Sequence, residues 1–246
     1  MTTLLLYKEI KALNREQHRQ LKLKNADNSE FAASTHLVPL AGLEFFQAAR
    51  HYPIVFIGEA GKLAPIALLG LQEGHNGYLD EQAHWRANTY VPAFVRRYPF
   101  VLAQDDKESF TVCFDAAYSG WNEADGRPLF TEDGTNSEFL DEMIQFLQNF
   151  TQEMSRTTQF VEKLDALGLL ESRSLTLTHA TGETFQLNDF HAVNEERFLA
   201  LADEQVLELN RAGYLGWVYA HLMSLGNVHQ LFEHFLARKA KLATAH

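Results

Sequence analysis

The chain has 246 residues, enough for one large domain or two small ones with a full hydrophobic core. Hydrophobic residues make up 46% and charged residues 22%, which is ordinary for a globular protein and excludes an intrinsically disordered chain. The net charge of −11 argues against a nucleic-acid partner, and the single cysteine excludes an internal disulfide and a disulfide-stapled secreted fold.

The N-terminal segment is polar and predicts a short helix or loose arm over residues 1–30, ahead of a single domain at 31–240. Its apolar run at residues 4–6 is too short for a signal-peptide core or a membrane span. The sequence therefore predicts a cytoplasmic protein with no membrane span, with export without a signal as an open alternative.

A short strand and a short helix open the predicted domain. The stretch HLVPL predicts a strand with Pro39 at an edge or at the strand end. The stretch GLEFFQAARHYP predicts a helix that turns Leu43, Phe46 and Ala49 toward the core and stops at Pro53.

Three hairpins follow, so that roughly residues 35 to 115 are expected to form a β-meander. The stretch IVFIGEAGKLAPIALLGL contains two apolar runs joined by a glycine-containing turn. The stretch GLQEGHNGYLD repeats this pattern with Asn76-Gly77 as its turn. The stretch FVLAQDDKESFTVCFD predicts the third hairpin, with its turn at residues 105–107 and Cys113 as a buried, inert thiol.

After Ser137 the apolar spacing changes to three and four residues, which predicts an amphipathic helix of up to about eight turns ending at Gly168. A hairpin turning at Thr181-Gly182 follows, and then two short helices, the second capped by Asp203. The chain closes with one long helix or two helices broken near Gly226. The predicted fold class is α+β, with a hairpin-rich N-terminal half packed against a long amphipathic helix and a helical C-terminal part.

Two loops resemble ligand motifs but lack a required residue. In GEAGKLAP, the two glycines are too close together for a phosphate loop, and Leu63 stands where Ser or Thr would bind magnesium. In WNEADGRPLFTE, Gly126 and Glu132 fit a calcium loop, but Trp121 takes the first ligand position, which needs an oxygen. Both stretches predict turns.

The eleven histidines show no metal-binding spacing along the chain, so neither a metal nor a cofactor is predicted. Convergence of His36, His84 and the pair Asp189 and His191 in three dimensions stays open.

The most distinctive stretch is HWRANTYVPAFVRRYPF, which gathers aromatic rings around an Arg-Arg pair. Arginine binds carboxylates and phosphates through two parallel hydrogen bonds, so these residues could form an aromatic-lined anion pocket. The alternative is a structural role, in which the two adjacent arginines face different ways and Tyr98-Pro99-Phe100 forms a rigid extended turn over the core. The candidate ligand-binding residues are Trp85, Tyr90, Arg96, Arg97, Tyr98, Phe100 and His36.

The chain resembles the SapC family, a bacterial family of about this length. The resemblance is carried by HLVPL, YPIVF, PIALLGL, WRANTYVPAFVRRYPF, GRPLF before EDG, and AHLMSLGNVHQL, which together span roughly residues 33 to 235. It implies a link to surface-layer gene loci and to neighbouring TonB-dependent receptors, flavin-dependent tryptophan halogenases and cupin-like proteins. It supplies no catalytic residues.

Three hypotheses follow, in this order. The first is a non-catalytic binding or accessory protein that takes a small anionic molecule or a peptide carboxylate at the Arg/aromatic pocket. The second is a structural or assembly protein linked to a surface layer, which predicts homo-oligomers. The third is an enzyme working with flavin-dependent halogenase or cupin-like partners, which needs convergent His or carboxylate groups around the same pocket.

Overall fold

Antiparallel strands and helices are mixed along the chain, which confirms the α+β class. The structure is a computed structural model that describes residues 5–24, 28–59, 61–104 and 110–244. The strands are β1 (Ile10–Ala12), β2 (Lys22–Leu23), β3 (Leu37–Pro39), β4 (Ile54–Ile57), β5 (Ala64–Leu68), β6 (Phe100–Gln104), β7 (Phe110–Asp115), β8 (Trp121–Asn122), β9 (Arg127–Pro128), β10 (Leu170–Thr178) and β11 (Thr184–Val193). The helices are α1 (Phe45–Ala48), α2 (Ala93–Arg96), α3 (Glu138–Ala166), α4 (Glu195–Leu199), α5 (Asp203–Arg211), α6 (Leu215–Ser224) and α7 (Val228–Thr244), with short 3₁₀ turns at Glu30–Ala32, Gly42–Glu44 and Leu225–Asn227.

The strands form three antiparallel sheets. A five-stranded sheet has the order β10-β11-β4-β5-β3, a three-stranded sheet has the order β1-β7-β6, and a small one has the order β8-β2-β9. The predicted hairpins β4–β5, β6–β7 and β10–β11 are confirmed, although the turn residues 105–107 lie outside the described part of the chain. The hairpin-rich half is thus divided between two sheets, and the main sheet is completed by a hairpin from the second half.

Three local predictions are wrong. Residues 70–80 form no hairpin and contribute only a single bridge between Leu79 and Trp85, because Asn76 is buried and caps a loop through its side chain. Of the side chains predicted to face the core around α1, Leu43 and Phe46 are exposed and only Ala49 is buried. The buried residues of α1 itself are Phe45 and Ala48. The residue before α5 is Ala202, so the predicted cap Asp203 is already the first helical residue.

Residues 5–24 contain no helix in the structure and contribute two strands instead. β1 pairs with β7, and β2 lies between β8 and β9. The buried Asp115 carboxylate at the end of β7 accepts the backbone N–H groups of Lys8 and Glu9, and the Tyr7 ring is also buried. The division into an arm at 1–30 and one domain at 31–240 stays a prediction.

The long helix α3 connects two hydrophobic cores. It starts at Ser137, whose hydroxyl accepts the Leu140 N–H, and it ends before Gly168, which has the positive φ of +65° that favours glycine. Its first half supplies Leu140 and Leu147 to the core around β6 and β7, and its second half packs on the five-stranded sheet. The predicted amphipathic helix is therefore confirmed, and it fixes the two sheets relative to each other.

Candidate functional site

The Arg-Arg stretch lies where the two cores meet. Pro92 precedes the single turn of α2, a position that suits proline because its missing N–H would find no helical partner there. After α2, a cis peptide bond joins Tyr98 to Pro99, and Phe100 begins β6. The end of α2 therefore contacts the middle of α3, between the half that packs against β6 and β7 and the half that packs on the five-stranded sheet.

Arg96 lies on the surface and is held by groups within its own segment. Its Nε donates to the Val91 carbonyl at 3.0 Å, and Nη2 donates to the Tyr90 hydroxyl at 3.2 Å. The guanidinium carbon lies 5.3 Å from the centre of the Phe146 ring on α3. Within the described residues it forms no ion pair with a carboxylate.

Arg97 points elsewhere and is largely enclosed by rings. Its guanidinium carbon lies 4.1 Å from the centre of Phe94, 5.1 Å from Phe150 and 5.7 Å from Tyr7. Its Nε is buried without a hydrogen-bond partner. Burial lowers the pKa of the Arg97 guanidinium, and the Tyr7 hydroxyl opposes that shift. This contact set belongs to a packed interior rather than to an open ligand site.

Tyr98 and Phe100 also serve packing. The Tyr98 ring stacks on Phe31 with 4.1 Å between centres, and its hydroxyl donates to Asp115 Oδ2 at 3.0 Å. Burial and the Asp115 carboxylate raise the pKa of Tyr98. Phe100 is fully buried and meets Trp121 edge to face at 5.5 Å.

Trp85 and Tyr90 are joined through a third ring that sequence analysis missed. The Trp85 indole N–H donates to the Tyr52 hydroxyl at 3.0 Å, and the Tyr52 hydroxyl donates to the Tyr90 carbonyl. The Tyr90 hydroxyl donates to Glu44 Oε1 at 2.7 Å. Burial, followed by the Glu44 carboxylate, raises the pKa of Tyr90 to about 12.

His36 is not part of this arrangement. Its backbone carbonyl accepts the N–H groups of Leu69 and Gly70, and no hydrogen bond or ring contact of the described residues links its imidazole to Arg96 or Arg97. The structure thus brings Tyr90 and Arg96 together, links Trp85 to Tyr90 through Tyr52, and places the remaining candidates in other packing environments.

Tyr90 and Arg96 line a cavity of about 240 Å³ between the 3₁₀ turn at Gly42–Glu44, α2 and α3. Its remaining lining residues include Phe146 and Phe150 on one side and the amides of Gln47 and Asn149. Two carboxylates, Glu44 and Glu153, also face it.

The two carboxylates differ in the number of hydrogen bonds that they accept. Glu44 is buried, and its oxygens accept the Tyr90 hydroxyl and the N–H groups of Ala41 and Ala93. Glu153 Oε2 is buried without a hydrogen-bond partner, and the nearest cation is Arg156 Nη1 at 3.8 Å. The cavity therefore offers one guanidinium without an ion pair, whereas the Glu153 carboxylate beside it pairs with Arg156 through its buried oxygen.

The sequence did not identify Glu44 and Glu153 as site residues, because glutamates in predicted helices usually lie on the surface. The only available signal was that Glu44 sits in the otherwise apolar run GLEFF, where a buried charge needs partners.

Other chemical groups are accounted for as follows. In the part of the chain that the structure describes, no three His, Cys, Asp or Glu side chains are grouped closely enough to hold a metal ion. Cys113 is buried and free, as expected, and burial raises the pKa of its thiol. Over the same residues, none of the helices combines the length and apolar character needed to cross a bilayer.

Comparison with known protein families identifies the family of this chain. No curated protein and no solved structure matches the chain. The family model for SapC matches residues 13–231, which is most of the chain and contains the whole Arg-Arg stretch. The chain therefore belongs to the SapC family, as its motifs predicted.

Proposed function

We propose that this SapC-family protein is a non-catalytic binding protein that holds the carboxylate of a small molecule or peptide in the cavity beside Arg96. The observation that carries this proposal is the guanidinium of Arg96, which lines the cavity, is oriented by Tyr90 and Val91, and has no ion pair among the described residues. Its functional partners would be those that the family resemblance implies, flavin-dependent tryptophan halogenases and TonB-dependent receptors.

The ligand should carry a hydrogen-bond donor or a cation in addition to its carboxylate. A purely anionic molecule would be repelled by Glu44 and Glu153 across the cavity, since like charges disfavour each other at short range. A ligand ammonium or amide N–H would instead be attracted by the Glu44 and Glu153 carboxylates that line the cavity. Phe146 and Phe150 supply an apolar wall, so a zwitterion with a short apolar part fits the lining best.

Isothermal titration with zwitterionic amino acids and short peptides tests this function, using the wild type, Arg96→Gln and Arg211→Gln. Arg211 is exposed at the end of α5, so its variant removes the same charge outside the cavity. We expect Arg96→Gln to weaken binding by about tenfold or more, because hydrogen bonds to charged groups are worth roughly 1.5 to 3 kcal/mol. Equal binding by both variants would contradict the proposed site.

A second candidate, self-assembly, rests on exposed apolar side chains. Phe46 on α1 and Tyr219 and Met223 on α6 are 55%, 53% and 63% exposed, and α1 contacts α6 directly. Two copies could bury these faces against each other, although a net charge of −11 would oppose association at low salt. Light scattering over a concentration series at two salt levels separates the candidates, because only assembly predicts a mass that rises with concentration and with salt.

A further inference from the structure

A second cavity lies between the segment His75–Arg86 and the second half of α7. Its volume is about 460 Å³, and it shares no lining residue with the cavity beside Arg96. Five basic side chains line it, and they come from parts of the chain about 150 residues apart. These side chains are His75, Arg86, His234, Arg238 and Lys241.

The two arginines of this cleft have no acidic partner among the described residues. Arg86 Nε donates to the Gly77 carbonyl at 3.0 Å, and Arg238 Nη1 donates to Gln72 Oε1 at 3.4 Å. The two lining carboxylates are already engaged, because Glu81 pairs with Lys241 at 2.7 Å and Asp80 accepts two backbone N–H groups. Most donor positions of both guanidinium groups are therefore free for an oxyanion.

Burial lowers the pKa of both histidines, and the neighbouring arginines add to the shift. Burial, followed by the charges of Arg238 and Arg86, lowers the pKa of His75 to about 4. Burial and Arg86 likewise lower the pKa of His234, whose Nδ1 is buried without a hydrogen-bond partner. The His75 imidazole is then neutral at pH 7, and it can donate one N–H to a bound anion.

An apolar recess adjoins the cleft and shares Arg238 with it. Leu71, Phe185, Phe235 and Leu242 line this recess, which lies between the loop before the cleft, β11 and α7. A ligand bound at Arg238 can thus place an apolar body against these side chains.

We propose that the cleft binds the dianionic oxyanion group of a small molecule, a phosphate or a pair of carboxylates, and that the recess holds the molecule's apolar body. Two guanidinium forks that converge on one cavity match the geometry of such a group better than isolated lysines would. The site is independent of the cavity beside Arg96, and a local basic cleft can act on an acidic chain because salt screens distant charges beyond roughly 10 Å.

Isothermal titration at fixed ionic strength tests this site with inorganic phosphate, phenyl phosphate and phenylmalonate. The variants are Arg238→Gln and Arg86→Gln in the cleft, with Arg211→Gln as the matched charge control outside both cavities. Arg238 lies on a partly exposed helix face and makes only one long hydrogen bond, so its variant should fold, which thermal unfolding without ligand verifies.

We expect phenyl phosphate or phenylmalonate to bind the wild type and Arg211→Gln equally, and Arg238→Gln and Arg86→Gln to weaken binding by about tenfold or more. The tighter of the two ring compounds identifies phosphate or dicarboxylate as the source of the oxyanion. Absence of saturable binding, or equal affinities for Arg238→Gln and Arg211→Gln, would overturn the proposal. Phenyl phosphate binding no tighter than inorganic phosphate would overturn the role of the apolar recess.

Discussion

Truncation of the two adjacent arginines to alanine should affect different properties of the protein. Arg97→Ala removes a guanidinium that lies within 4.1 to 5.7 Å of the centres of three rings. Arg96→Ala removes an exposed guanidinium that lies 5.3 and 5.7 Å from two ring centres. The first change should therefore act on stability, and the second on ligand binding.

The magnitude follows from these contacts. A partly desolvated cation–π set of this kind is worth about 2 kcal/mol, and burying the two methylenes that alanine lacks contributes roughly another 2 kcal/mol. Removing a buried charge that has no ion-pair partner is itself favourable by about 1 kcal/mol. The free energy of unfolding should therefore fall by about 3 kcal/mol in Arg97→Ala. For Arg96→Ala we expect about 1 kcal/mol, because solvent screens the interactions of an exposed charge.

Urea unfolding followed by circular dichroism measures both losses, with Arg97→Met as a further control. Methionine keeps the packing of the stem and removes the charge, so this variant should lose only about 1 kcal/mol. If Arg97→Ala leaves the free energy of unfolding unchanged, or if Arg96→Ala costs more than Arg97→Ala, the assignment of Arg97 to packing is wrong.

Three further predictions concern the framework around the sites. Burial lowers the pKa of His221, which bridges Ile54 and Val193, from 6.5 to about 4. The free energy of unfolding should therefore be highest above pH 6.5 and should fall by about 3 kcal/mol as the pH drops to 4. An NMR titration of His221 with a midpoint near 6.5 would contradict this. Asp115→Asn replaces one of two accepting oxygens, so amide hydrogen exchange at residues 8–9 should accelerate, whereas unchanged protection would show that the carboxylate does not hold this segment. Ser137→Ala removes the cap of α3 and should cost about 1 kcal/mol in urea unfolding, and a cost near zero would exclude the cap.

Local patterns were sufficient where an element is stabilised by its neighbours in sequence. The hairpin β10–β11 and the helix α3 follow directly from apolar periods of two and of three to four residues. The helix α1 did not follow, because it is a single turn whose buried side is chosen by Trp217 and Phe160, which pack against Phe45.

Long-range sheet pairing was outside the reach of such patterns. β11 joins β4 through the single register pair His191–Phe56, across more than 130 residues. His221 completes this join, since its imidazole bonds the Ile54 carbonyl on one strand and the Val193 N–H on the other. In the sequence alone, nothing distinguishes this buried histidine from a histidine on the exposed side of a helix.

The candidate site was predictable only in part for the same reason. Different directions for Arg96 and Arg97 were predicted from their adjacency, and in the structure the two guanidinium groups lie over different rings of α3. The cavity itself needs Glu44 and Glu153, which reach it from elements before and after the Arg-Arg stretch. The basic cleft likewise needs Arg86 and Arg238 together, and only the folded chain brings them to one cavity.

Native mass spectrometry of gently purified protein, compared with the same sample after denaturation, tests the binding function most directly. If the cavity beside Arg96 holds a ligand, the wild type and Arg211→Gln should carry a small molecule that is lost on denaturation. Arg96→Gln should lack it. A wild-type chain that carries nothing and gains mass only by forming concentration-dependent oligomers would contradict the binding function and favour assembly.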